Sequence, residues 1–139
     1  MKLISESFVD GGEMPPEFSC QGDGRRPDLS WSEIPAGTKG LAISVVDPDA
    51  PGGDFVHWLV ANIPASVGKI SAGDQIGQEM PNSTGQNQYI PPCPPSGRHR
   101  YIFTLYALDS ENISGEDFFA EIENHLIEKS TLTGLYQKS

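Results

Sequence analysis

Leu41-Ala42-Ile43-Ser44-Val45-Val46 is the stretch on which the fold turns. It is rich in β-branched residues and almost wholly apolar, which reads as a strand buried on both faces. It runs into Asp47-Pro48-Asp49-Ala50-Pro51-Gly52-Gly53, where two prolines and two glycines stop any regular structure. Two further strands share its character: Val56-His57-Trp58-Leu59-Val60-Ala61-Asn62-Ile63 and Tyr101-Ile102-Phe103-Thr104-Leu105-Tyr106-Ala107-Leu108. Loops rather than helices separate these strands. That argues against a doubly wound parallel sheet and for a mainly β fold with sandwich-like packing.

The flanking segments are turn-rich. Residues 7–40 alternate turn formers with short apolar pieces such as Leu29, Trp31 and Ile34, as expected for short strands. Residues 64–98 read as mostly irregular, with Pro91-Pro92-Cys93-Pro94-Pro95 the stiffest part. Near the end, Phe118, Phe119, Ile122, Leu126 and Ile127 form an apolar stripe of helical period. Ser114 is the expected N-cap, with Asp117 three residues on and Ile113 and Phe118 at the staple positions. After Ser130 the chain is either a second short helix or an extended end.

Composition bounds the function. Leu, Ile, Val and Phe supply 32 of 139 residues, above the roughly one-fifth below which charged chains stay disordered. One domain spanning 1–139 is expected. The formal net charge of −10 repels phosphate backbones and anionic membranes, so neither nucleic acid nor stable membrane insertion is expected. No run approaches a membrane span, and the start Met1-Lys2-Leu3-Ile4-Ser5-Glu6 lacks the apolar core of a signal peptide. A cytoplasmic location is the expectation. The sequons at Asn82 and Asn112 then carry no meaning. In a reducing cytosol Cys20 and Cys93 are expected as free thiols, with a single bridge the alternative.

Chemistry-bearing residues sit at loop–strand junctions, where a rigid sheet presents polar groups to a pocket. They are Asp47 and Asp49, His57 beside Trp58, and His99-Arg100-Tyr101. Strand alternation places His99 and Tyr101 on one face and Arg100 on the other. It places His57 with Leu59 and Ala61, opposite Trp58. Two imidazoles and a phenol can offer N–H and O–H donors to an oxyanion without a lysine. A buried carboxylate can accept from an imidazole and fix its tautomer. The paired aspartates could receive a ligand ammonium.

Asp47-Pro48-Asp49-Ala50-Pro51, His57-Trp58 and Gly97-Arg98-His99-Arg100-Tyr101 resemble the signature blocks of the phosphatidylethanolamine-binding protein family, including its prokaryotic Raf-kinase-inhibitor-like branch. Phe18-Ser19-Cys20-Gln21-Gly22, Leu29-Ser30-Trp31, Ile34-Pro35-Ala36-Gly37-Thr38, Pro92-Cys93-Pro94-Pro95-Ser96-Gly97 and Phe103-Thr104-Leu105-Tyr106-Ala107-Leu108-Asp109 extend the likeness over nearly the whole chain. The resemblance implies a large antiparallel sheet packed on a second, smaller sheet, with one or two peripheral C-terminal helices. It implies a small anion pocket formed by Asp47, Asp49, Pro51, His57, Pro92, His99 and Tyr101. The implied function is non-enzymatic binding of a phosphate-type group, such as a phospholipid headgroup or phosphorylated ligand, with no cofactor and no metal. The implied partners are a small phosphoethanolamine-like anion, with a protease or kinase partner and a homodimer compatible with it. Relative to the commoner Tyr-Gly-Gly-Pro-Cys-Pro-Pro of such chains, Ile90 and Pro91 add bulk and remove an amide donor.

Three rival readings carry their own features. A protein-interaction module such as a serine protease inhibitor would use the stiff loop around 85–96. A hydrolase would combine His57, an aspartate of the 47–49 loop and a serine such as Ser96, but no nucleophile elbow is present. A metal site built from Cys93, His99 and the aspartates lacks paired ligand spacing.

Overall fold

A computed structural model describes residues 1–138. Two sheets are built from nine strands: β1 (Lys2–Ile4), β2 (Gly12–Glu13), β3 (Leu29–Ser32), β4 (Gly40–Asp47), β5 (Phe55–Pro64), β6 (Lys69–Ile70), β7 (Gln78–Met80), β8 (Arg98–Leu108) and β9 (Leu126–Gln137). Among the described residues one α-helix, α1, spans Phe118–His125, and a short 3-10 turn spans Pro16–Phe18. The main sheet has the order β2-β9-β8-β4-β5-β7 and the small one β1-β3-β6. The main sheet is antiparallel except for β2, which joins β9 in parallel.

β4 lies between β5 and β8 and is buried along nearly its whole length. Its alternate side chains feed two cores. Leu41, Ile43 and Val45 pack with Phe103 and Leu105 of β8 and with Leu3, Trp31 and Ile70 of the small sheet. Ala42 packs on the other face with Leu59, Tyr106 and Leu108, under Phe118 and Ile122 of α1. A strand covered on both faces has no use for polar alternation, which is why it reads as an apolar run. Ser44, the one hydroxyl in that run, is buried against the Tyr106 hydroxyl at 2.9 Å, so its polarity is satisfied inside.

The C-terminal region differs from the helical expectation. α1 ends at His125, and Leu126 and Ile127 begin β9, where they are exposed. The eleven-residue β8 offers backbone partners from Arg98 to Leu108, and β9 takes them. A full ladder of sheet hydrogen bonds outweighs the weak preference of two apolar residues for one more helical turn. Thr131-Leu132-Thr133-Gly134-Leu135-Tyr136 was the available signal. Leu132 and Tyr136 are buried on one face there, so the end is extended. Asp117, not Ser114, is the N-cap and accepts from Ala120 N. Ser114 instead donates its hydroxyl to Glu121, whose carboxylate also accepts from the amides of Ser114 and Gly115. Among the described residues no helix is long and apolar enough to cross a membrane.

Cys20 and Cys93 form a disulfide, which corrects the expectation of free thiols. That expectation came from an assumed reducing compartment. It did not take into account that the turn at Pro16–Phe18 lies against the proline-rich segment, where Cys20 N also donates to Pro92 O at 3.0 Å. Gly24 has φ +69° beneath the Pro91 ring, and a Cβ there would meet Pro91 at 3.0 Å, so a small residue lets the two segments approach.

The bond bridges residues 73 apart, and a constraint on so long a loop removes much unfolded-state entropy. Replacing both cysteines by serine is expected to lower the unfolding free energy by about 2–5 kcal/mol, read from urea denaturation of the two proteins under non-reducing conditions.

Candidate functional site

Asp47, the last residue of β4, is 3% exposed. A carboxylate that deep must be hydrogen-bonded or it disfavours folding. Its Oδ2 lies 2.7 Å from His99 Nδ1, and its Oδ1 accepts the Asp49 amide at 2.8 Å. The second bond closes the turn that Pro48 opens. His99 is the second residue of β8 and is buried. The next residue points outward, and there Asp49 meets it. Arg100 donates its Nε and a terminal guanidinium nitrogen to the two Asp49 oxygens at 3.0 and 2.9 Å, and its amide donates to Oδ2 at 2.9 Å. The start of β8 is therefore gripped from both faces by one short turn. Arg100 holds the Asp49 carboxyl down to about 2 through these bonds.

His57 lies on the opposite side from the one strand alternation assigns. Val45 pairs with Trp58 and Val46 with Val56, so β5 carries one extra residue, His57, at this point. Such a bulge re-aims a side chain at the end of a strand. The His57 ring sits edge-on to Phe55 and Tyr101, with centroids 5.0 and 5.2 Å apart. Its Nδ1 lies 2.6 Å from the Ile90 carbonyl oxygen, and the Ile90 amide donates to the His57 carbonyl at 3.0 Å. Burial lowers the His57 pKa from its ordinary value, with the Ile90 hydrogen bond and Asp47 opposing. Tyr101 also contacts the His99 ring at 6.5 Å. Its pKa is raised by burial, by the Asp47 charge and by hydrogen bonding to that carboxylate.

Asp47, His57, His99 and Tyr101 border one cavity of about 200 Å³, closed on its other sides by Ala50, Pro51 and Phe55 and by residues of the 90–95 segment. That volume lies below the roughly 300–1,000 Å³ usual for drug-sized ligands, so the site suits a small group. Of the seven residues the resemblance placed in the pocket, Asp47, Pro51, His57, His99 and Tyr101 line it, whereas Asp49 and Pro92 do not. Asp49 is turned outward to Arg100, which also removes it as a receptor for a ligand ammonium. Pro92 is buried, with its carbonyl taken by Cys20. Ile90 and Pro91, read from the sequence as adding bulk at the pocket, line the cavity, as do Phe55 and Pro94, which the sequence does not single out as site residues. Phe55 was legible as the residue before a strand, but nothing marked it as facing a ligand. Ser96 is outside the lining, so no triad is assembled with His57. Cys93 is oxidised, and among the described residues no three His, Cys, Asp or Glu side chains are placed to hold a metal.

The model of the phosphatidylethanolamine-binding protein family matches residues 4–137, and the chain belongs to that family. It is 36% identical over 150 residues to a UPF0098 protein of Chlamydia pneumoniae, covering all of both chains. Among solved structures it is similar to a phosphatidylethanolamine-binding protein homologue from Chlamydia trachomatis, with TM-score 0.91, 37% identity and coverage of 99% of this chain and 97% of that one. It is likewise similar to Escherichia coli YbcL, a member of the mammalian PEBP family, with TM-score 0.92, 28% identity and coverage of 99% and 98%.

Removing the Arg100 guanidinium leaves the Asp49 carboxyl with the backbone amide of residue 100 as its partner there. Because the folded pKa is depressed, the pair stabilises the fold above the unfolded value of about 3.9 and this contribution is lost as pH falls towards the folded value. In Arg100→Ala the Asp49 carboxyl is expected to titrate above about 2 but still below the ordinary value of about 3.9 when followed by NMR, because the amide of residue 100 still donates to it, with thermal stability at pH 7 little changed because the pair is exposed.

Proposed function

We propose that the chain is a non-enzymatic binding protein whose cavity takes the phosphate-type group of a small ligand, such as a phospholipid headgroup or a phosphorylated molecule. The observation that carries this reading is the makeup of the cavity. It is small and largely apolar, and its polar groups are two buried imidazoles and a phenol gathered around one buried carboxylate. Mostly apolar walls with few convergent polar groups are what a recognition site needs. Prolines 51, 91, 94 and 95 in its lining have few conformations to lose, so little ordering opposes binding. The one cysteine in the lining is oxidised, which removes its thiol as a nucleophile. Family membership supports the same reading. The Cys20–Cys93 bond favours oxidising surroundings over the cytosolic location expected from the N-terminal sequence.

Calorimetric titration with phosphoethanolamine at pH 6 tests the proposal. His99→Ala is expected to weaken binding by about 1–3 kcal/mol, the range for a hydrogen bond to a charged group. Equal affinity in the variant and the parent would remove the imidazole from the site and the reading with it.

A further inference from the structure

We propose that the cavity takes an oxyanion only together with one proton, carried either by the ligand or by an imidazole, so that a singly protonated phosphomonoester is its natural class of ligand. This rests on the reading of the cavity as an anion site and specifies what that site accepts.

The argument is a count of hydrogens. Carboxylate and carbonyl oxygens only accept. His99 Nδ1 lies 2.7 Å from Asp47 Oδ2, and His57 Nδ1 lies 2.6 Å from Ile90 O. Both Nδ1 atoms therefore carry the hydrogen. A neutral imidazole has only one, so each Nε2 is then a bare lone pair. The Tyr101 hydroxyl keeps its hydrogen, and the nearby Asp47 carboxylate competes with a ligand for it. The expectation that the rings act as neutral N–H donors fails on this point. An unprotonated site presents lone pairs to a ligand that needs donors. One added proton reverses this. On an Nε2 it makes a charge-assisted donor, and on the ligand it makes a P–OH that donates to the lone pair. The two arrangements contain the same number of protons.

The surrounding charges leave the count standing. Asp47 from β4 is bonded to the His99 ring and its charge raises the His57 pKa. Asp49 and Arg100 pair with each other, as do Arg98 and Glu13. From β9, Tyr136 donates its hydroxyl to Gln21. The 90–95 segment carries no titratable side chain apart from the bridged Cys93. Burial works against a proton on His57, and wherever both rings are neutral the empty cavity has to acquire one when the anion enters.

Calorimetry of the full chain with phosphoethanolamine and with sulfate, each in two buffers of different ionisation enthalpy between pH 5.5 and 8.5, tests this. The ester brings a proton below its pKa of about 6. Sulfate brings none, so its uptake reports on the imidazoles alone. Close to one proton taken up per anion is expected at pH 7.5, with affinity falling about tenfold per pH unit from 7.5 to 8.5. Asp47→Asn sharpens the test. Oδ1 keeps the Asp49 amide, which turns the new NH₂ towards His99 Nδ1 and moves the ring hydrogen to Nε2. Sulfate affinity at pH 8 is then expected to rise about tenfold or more, with proton uptake falling. Binding of parent protein without proton uptake and with a flat pH profile overturns the proposal while leaving the anion site intact. Absence of binding by either anion at every pH overturns both.

Discussion

A carboxylate buried at the end of a central strand has to be satisfied by its surroundings, and Asp47 imposes that condition on everything near it. Its two oxygens are met by His99 from β8 and by the amide of its own turn. These bonds fix where β8 begins relative to where β4 ends. Asp49, two residues along, faces the other way and takes Arg100 in a two-point contact. The turn at Pro48 in one segment and the pleat alternation of His99-Arg100 in the other thus make an inner pair and an outer pair. The inner pair is the polar side of the cavity, and the outer one is a clasp.

The opposite side of the cavity is held differently. Four of the five residues from Pro91 to Pro95 have no N–H, so this wall cannot enter a hydrogen-bond ladder of its own. It is attached through Ile90, which exchanges hydrogen bonds with His57, and through Cys93 and the Pro92 carbonyl, both joined to Cys20. Tethering the wall to His57 has a chemical consequence. The Ile90 carbonyl occupies the hydrogen of the His57 ring just as Asp47 occupies that of His99. The same contacts that give the cavity its shape therefore decide which hydrogens remain for a ligand.

Much of this was legible in the chain. β4, β5 and β8 were marked by runs of β-branched and aromatic residues, and β4 was marked as buried on both faces. The inward His99 and Tyr101 and the outward Arg100 followed from alternation. His57 did not, because one extra residue between Trp58 and Val56 reverses the face, and a bulge leaves no mark in hydrophobic period. Leu126 and Ile127 fitted a helical stripe, yet the long open edge of β8 drew them into β9. The Cys20–Cys93 pairing depended on two loops 73 residues apart coming together.

The sequence by itself determined the mainly β architecture, the family and the set of polar residues gathered at the sheet's end, since all of these follow from local pattern and from ordered short motifs. Only the tertiary structure decided which of those residues face the cavity and which hydrogen each one has left to offer. Those properties depend on what lies opposite: the Asp47 carboxylate for His99, the Ile90 carbonyl for His57, and the Arg100 guanidinium for Asp49. A hydrogen bond is a property of two groups, and the second group here comes from a distant part of the chain.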